Sequence, residues 1–402
     1  MNRLTNTVRP YAWGSTTAIP ELLGTEPTGE PQAELWMGAH PGAPSRIDRG
    51  DGPVPLDAVI AADPAAELGD STVKRFGPRL PFLFKVLAAG APLSVQVHPD
   101  LAQAKAGFAD EEARGVPADA PERNYKDANH KPEMIVALSP FDGLCGFRYP
   151  TEAADLLESL DVDALRPYAD ILRAHPEDQA LREVLAAVLG AEPAAIAETV
   201  HAAAEAAARL ADTPGTPYAA DLAAYAKAAR SFPGDRGLIA AMLLTYVRLQ
   251  PGEALYLGAG VPHAYLDGLG VEIMANSDNV LRCGLTPKHI DVPELLRIVR
   301  FEAGDPGVLR PEAAPDGEEV YAAPIDEFRL SRYGLAPGAD ARLLGPGTPQ
   351  ILLCTSGRAQ VRTAGDDGPG LTLSRGESAY VPAAERVELT GEGTVFRATV
   401  AA

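Results

Sequence analysis

From about residue 151 to about residue 230 the chain changes texture: Ala, Leu and Glu dominate, and residues 194–210 carry apolar side chains at helical spacing. On both sides of this block the sequence reads as short β-like runs punctuated by Gly and Pro, at 81–87 and 134–138 before it and at 254–257 and 271–274 after it. The expectation is a single antiparallel β domain, residues 1–150 and 237–310, interrupted by a helical insertion over 151–236. Residues 292–299 read as a short helix started by proline. Past a Pro, Gly and Asp-rich stretch near 304–317, strands alternate with turns such as Gly365-Asp366-Asp367-Gly368, which makes 311–402 a smaller β domain.

The runs that carry chemistry lie on both sides of the insertion. In Ser94-Val95-Gln96-Val97-His98-Pro99-Asp100, Gln96 and His98 are two residues apart, so in a strand they present an amide oxygen and an imidazole on one face. Asn129-His130-Lys131-Pro132-Glu133 supplies a carboxylate, and His263 follows the strand-like residues 253–257. Two imidazoles with two oxygen donors suit Zn²⁺ or another borderline divalent ion, and without a thiolate ligand the metal identity stays open. A lone His in a strand is ordinarily a satisfied core or surface residue. Three Gly, Pro and His-rich runs that complete one donor set favour a metal site.

At 402 residues the chain is long enough for two or three domains, and 46% hydrophobic with 22% charged residues describes a globular chain with no long uncharged apolar run and no signal-like amino terminus. A formal net charge of -20 argues against a nucleic-acid partner and requires a local basic patch for any anionic substrate. Cys145, Cys283 and Cys354 are few and far apart, which fits a reducing compartment; the expectation is a cytoplasmic protein without a membrane partner.

Many short strands with ligands on a strand and in loops point to jelly-roll β architecture. The carboxy-terminal runs 357–361 and 373–382 echo such a hairpin pair without a histidine, and so read as a metal-free copy. The chain then resembles a known family, the type I phosphomannose isomerases, along its whole length. The resemblance rests on Tyr11-Ala12-Trp13-Gly14, on residues 34–40, on Ser94 to Asp100 and Tyr125 to Glu133, on Gly260 to His263, and most of all on Asn279-Val280-Leu281-Arg282-Cys283-Gly284-Leu285-Thr286-Pro287-Lys288. It implies a mainly β fold with an α insertion, made of two cupin-like jelly-roll domains and a helical domain. It also implies one Zn²⁺ per chain held by Gln96, His98, Glu133 and His263, and a small sugar phosphate as substrate, with mannose 6-phosphate and fructose 6-phosphate interconverted.

That chemistry moves a proton between C1 and C2 of an opened sugar through an enediol or enediolate, so it needs charge stabilisation at oxygen and a proton shuttle. Arg282 is the expected enediolate partner because its planar guanidinium addresses two oxygens at once. Lys131, His130 and Asp278 are rival proton-transfer groups, and the residues do not choose among them. Lys85, Ser94 and Lys288 are the expected phosphate contacts, with Lys85 notable for interrupting an apolar strand. Trp13 and Trp36 read as core aromatics, and Glu34 and His40 as residues that brace the fold near the pocket. A monomer is expected. Two rivals use the same fold: a metal-dependent cupin oxygenase, which the extra Gln96 and the motif from Arg282 to Lys288 disfavour, and a sugar-binding protein without activity, which would have lost a ligand or Arg282.

Overall fold

The computed structural model describes residues 1–366 and 368–401, so Asp367 of the turn read at 365–368 lies outside the described residues. Ten strands from the two segments that flank the insertion form one antiparallel system organised by the strand His263–Ala275. The second half of this strand pairs with Phe82–Ala89 on one side and Glu133–Ala137 on the other. Its first half pairs instead with Phe141–Phe147 and, at His263, with Val95–Val97. The change of partners occurs at a register shift between Tyr265 and Asp267, followed by Gly268 at φ 121°. Bulges bend and twist a strand, and at Gly268 a Cβ would lie 2.7 Å from the carbonyl oxygen of Pro140. One continuous strand thereby serves two sheets. All eight residues of Phe82–Ala89 are buried, which explains its unbroken apolar run apart from Lys85.

The insertion is helical: Pro150–Ser159, Arg166–Ala174, Glu177–Gly190, Pro193–Ala211, Ala219–Ser231 and Gly237–Met242. Proline within the first turn starts three of them, where its missing N–H costs no hydrogen bond. In Glu177–Gly190, Leu181, Val184, Leu185 and Val188 form the buried stripe that helical spacing dictates. The last helix meets the β domain at Gly237 and Gly284, so close that a Cβ on Gly237 would lie 2.3 Å from the Leu285 nitrogen. Asp235 fastens the junction by accepting hydrogen bonds from the N–H groups of Gly237 and Thr286, each at 2.7 Å.

Helices also appear inside the first β segment, at Leu56–Ala62, Pro64–Leu68, Asp70–Phe76 and Leu101–Ala113. The last begins with a capping box in which Asp100 and Gln103 satisfy each other's backbone N–H. Val292–Ile298 is the expected short helix, capped by Asp291.

The carboxy-terminal residues build a second, nine-stranded sheet in which Gln350–Thr363 pairs with Val387–Thr399 along its whole length. The chain's first strand, Asn2–Arg3, adds to this sheet beside Ser378–Val381. Phe82, Phe84, Val271 and Ile273 of the first β system share one apolar core with Tyr321, Leu330, Ile351 and Phe396 of the second. The fold is therefore the expected mainly β, cupin-like architecture with an α insertion. Among the described residues no helix is long and apolar enough to cross a membrane.

The Gly237–Gly284 contact yields a stability prediction. Gly237→Ala should lower stability by about 1–3 kcal/mol through overpacking against main chain that cannot yield. A thermal melt of metal-loaded protein checks it, with Gly190→Ala, whose Cβ would meet nothing within 4 Å, expected to leave the midpoint nearly unchanged.

Candidate metal centre and the cavity beside it

His98, Glu133 and His263 come from three separated stretches of chain, and their ligand atoms lie within 4.8 Å of one another in the buried interior. His98 Nδ1 is 2.8 Å from the carbonyl oxygen of Asn279, and His263 Nδ1 is 2.9 Å from that of Val261. A carbonyl oxygen only accepts, so both Nδ1 atoms carry protons and donate. The Nε2 lone pairs then face the same carboxylate oxygen, Glu133 Oε1, at 3.3 Å from His98 and 2.9 Å from His263. Burial and the charge of Lys131 push His98 down to about 4, so its imidazole is neutral at pH 7. Although burial opposes its charge, the ammonium of Lys131 holds the Glu133 carboxyl well below the usual carboxylate range. Two nitrogen atoms converging on one buried carboxylate oxygen form an arrangement that a shared cation satisfies. The donor set fits a divalent metal such as zinc.

Gln96 stands opposite His263 in the sheet, and Arg282 stands opposite Gln96 on the next strand. Directly opposed residues in antiparallel strands share a face, so His263, Gln96 and Arg282 form a row with about 5 Å between neighbours. Gln96 thus lies on the same face as His263, as the ligand expectation requires. The row leads along the wall of a cavity of about 820 Å³ lined by Gln96, Lys85, Ser94, Lys131, Asp278, Arg282 and Lys288 among others. Ser231 and Phe232 of the insertion complete the wall next to Thr286. Between them, Leu285 is a fully buried non-glycine residue at φ 52°, a backbone conformation that the packed surroundings must impose.

The three candidate proton-transfer groups are not equivalently placed. Lys131 lines the cavity with Nζ 3.2 Å from Glu133 Oε2. Asp278 lines it too, and a contact from His40, 3.5 Å away, holds its carboxyl below the usual range with help from the charges of Lys131 and Lys85. His130 is absent from the cavity lining; its Nε2 pairs with Glu327, a residue supplied by the carboxy-terminal part of the chain.

Lys85 is brought to the cavity wall but is only 5% exposed, with Glu272 at 3.1 Å and Glu34 at 3.5 Å. Burial works against its charge, and the two carboxylates outweigh that and raise its pKa. Its ammonium is also 5.4 Å from the ring of Trp36, whose indole N–H donates to Glu34 at 2.6 Å. Two carboxylates already match the charge of Lys85, leaving less of it for an anionic ligand than its place in an apolar strand implied. Trp13 and Trp36, expected as core aromatics, both line the cavity. Glu272, Asn279, Lys126 and Glu327 are not among the residues expected from the sequence: Lys126 and Asn279 lie inside the motifs that carry the resemblance, Glu272 is an acidic residue within the apolar run 271–274, and Glu327 has no local signal.

Residues 1–150 match the family described as phosphomannose isomerase type I, catalytic domain. Mannose-6-phosphate isomerase of Escherichia coli (strain K12) is 42% identical over 401 residues, covering 99% of both chains. The crystal structure of a mutant phosphomannose isomerase from Salmonella typhimurium superposes with a TM-score of 0.91 at 39% identity, covering 100% of both chains. A zinc-bound structure of mannose 6-phosphate isomerase matches with a TM-score of 0.89 at 40% identity, covering 100% of this chain and 99% of the other.

Two outcomes test the centre. Elemental analysis should find about one divalent ion per chain, and His263→Ala should abolish it. In metal-free protein, His98 has its pKa lowered from 6.5 to about 4, so between these values the unfolded chain binds a proton that the folded chain refuses. Stability should therefore fall as pH drops from about 6.5 to about 4, and thermal melts of chelated His98→Gln should show a shallower fall across that window.

Proposed function

The chain belongs to the type I phosphomannose isomerase family, and from that premise we propose that its zinc-dependent interconversion of mannose 6-phosphate and fructose 6-phosphate takes place in the cavity beside His98, Glu133 and His263. The observation that carries the reading is the pair of imidazoles whose protons are taken by main-chain carbonyls and whose lone pairs converge on a buried carboxylate. Gln96, His98, Glu133 and His263 are the residues that would hold zinc, which when bound supplies positive charge to stabilise a developing oxyanion.

The remaining work falls to side chains on the cavity wall. Isomerisation removes a proton from one of two adjacent carbons and returns it to the other, through an enediol or enediolate. Lys131 and Asp278 both reach the cavity, and of the two Lys131 stands beside the metal-binding carboxylate, where C1 and C2 must lie if their oxygens are to share the stabilising charge. We therefore assign the proton transfer to Lys131, with Asp278 as its companion. His130 supports the loop from behind through Glu327.

Arg282 lies two strand spacings, about 10 Å, along the row from His263, close to the span of an extended hexose phosphate. Burial lowers its pKa, yet a guanidinium stays charged at any working pH. Its fork can hold the substrate's oxygens beyond the reacting carbons while contributing positive charge to the enediolate. Lys288 and Ser94 line the same wall and serve the phosphate, with Lys85 more remote behind its carboxylates. The reading carries with it a monomer in the cytoplasm, in keeping with three free, buried cysteines and a net charge of -20.

Following fructose 6-phosphate formation from mannose 6-phosphate, with and without chelator, tests the activity; unchanged turnover after complete metal removal would refute it. Arg282→Lys keeps charge but loses the fork, so turnover should fall at least about tenfold, roughly 1.4 kcal/mol of barrier, with zinc content intact. Mannose without its phosphate should be a poor substrate in kcat as well as KM, because remote binding energy positions the reacting carbons.

A further inference from the structure

Arg282, Lys288 and Lys126 all line the cavity, and among the described residues no carboxylate comes within 4.0 Å of any of the three. In a chain with 55 acidic and 35 basic residues, three neighbouring cations without an acidic partner form a local positive patch suited to an anionic ligand. The charged groups of the cavity divide into two sets. His40, Asp278, Lys131, Lys85, Glu34, Glu272 and Glu133 act on one another, and in this set the carboxylates outnumber the two ammonium groups. Lys288 responds to a different set: the charge of Arg282, then burial, then the charge of Lys126 lower its pKa.

Lys126 is exposed, which is the ordinary condition of a lysine, but its loop is not ordinary. Four successive backbone N–H groups are accepted by oxygens of two buried side chains. Glu111 takes Asn124 at 3.0 Å and Tyr125 at 2.8 Å; Asn279 takes Lys126 at 2.7 Å and Asp127 at 3.2 Å. The Asn279 side-chain amide also donates to the carbonyls of Asp127 and Asn129, at 2.7 and 2.8 Å, while the main-chain carbonyl of Asn279 accepts from His98. Asn279 is completely buried. The side chain that fixes the position of Lys126 therefore belongs to the residue that orients a metal-binding imidazole, so the distance from Lys126 to the metal centre is set within one rigid network.

We propose that Lys126 is a phosphate-binding residue of the sugar phosphate site, grouped with Lys288 and Arg282 on the cavity wall. This rests on the isomerase reading, in which the reacting carbons lie at the metal centre, and it assigns the three cations to the dianion. A point-charge ammonium on an anchored loop contributes attraction to phosphate without constraining its orientation, which complements the directional fork of Arg282.

The test uses zinc-loaded, full-length protein. Lys126→Gln should raise KM for mannose 6-phosphate about fivefold or more, with any fall in kcat smaller than that rise. The inhibition constant of inorganic phosphate should rise in parallel, with a weaker dependence on ionic strength, and Lys126→Arg should recover most of both effects. Unchanged KM and unchanged phosphate inhibition would overturn the proposal, as would a fall in kcat alone, which would place Lys126 in the chemistry. Thermal stabilisation by inorganic phosphate gives a readout independent of turnover. If the wild-type chain failed to turn over mannose 6-phosphate, the isomerase reading would fall, while loss of phosphate stabilisation in Lys126→Gln would still support the anion site and its retention would still refute it.

Discussion

A carboxylate buried with two imidazoles whose protons are already committed is the constraint on which the rest of the structure depends. Glu133 is buried away from bulk solvent, and the Nδ1 protons of His98 and His263 point to Asn279 and Val261 on the far side of each ring. Lys131 balances one oxygen of the carboxylate; the other faces two lone pairs. Such an arrangement is costly in a folded protein unless a cation completes it, and it is kept because the same cation can act on substrate oxygens.

Bringing these groups together is the task of one bent strand. His263 and Glu272 lie on the same strand on either side of the Gly268 bend, so one end of it serves the metal centre and the other pairs with Lys85. From His263 the row through Gln96 to Arg282 crosses three strands whose spacing is fixed by main-chain hydrogen bonds. Rigid sheet geometry thus sets the span from His263 to Arg282, which is more exact than loops alone would provide. The helical insertion and the 284–288 loop close the remaining side, locked at the Gly237–Gly284 contact and by Asp235.

Much of this was legible in the sequence, for a physical reason. Candidate ligands two residues apart, as Gln96 and His98 are, or two residues from a lysine, as Glu133 is from Lys131, leave compact linear motifs, and alanine-rich helices differ sharply in composition from β runs. Other features left no local trace. Lys85 was visible as an anomaly in an apolar strand, but Glu34 and Glu272, the partners that explain it, are 51 and 187 residues away. The pairing of His130 with Glu327 spans 197 residues and joins the two β units, so the sequence could not separate His130 from Lys131 and Asp278 as a proton-transfer group. Leu101–Ala113 has only Ala104 and Glu111 buried and so lacks an apolar stripe. Its capping residue Asp100 drew notice only as part of a ligand motif. Asn2–Arg3 is too short to read as a strand before its partner is known.

X-ray absorption at the zinc edge of the active, zinc-loaded protein tests the central claim most directly, because it reports the donor atoms themselves. The zinc should show a shell of nitrogen and oxygen at about 2.0–2.1 Å with the multiple scattering of two imidazoles and no sulfur. In His98→Gln one imidazole contribution should vanish from whatever zinc remains bound. A sulfur scatterer at about 2.3 Å, or a shell with no imidazole in fully active protein, would contradict it.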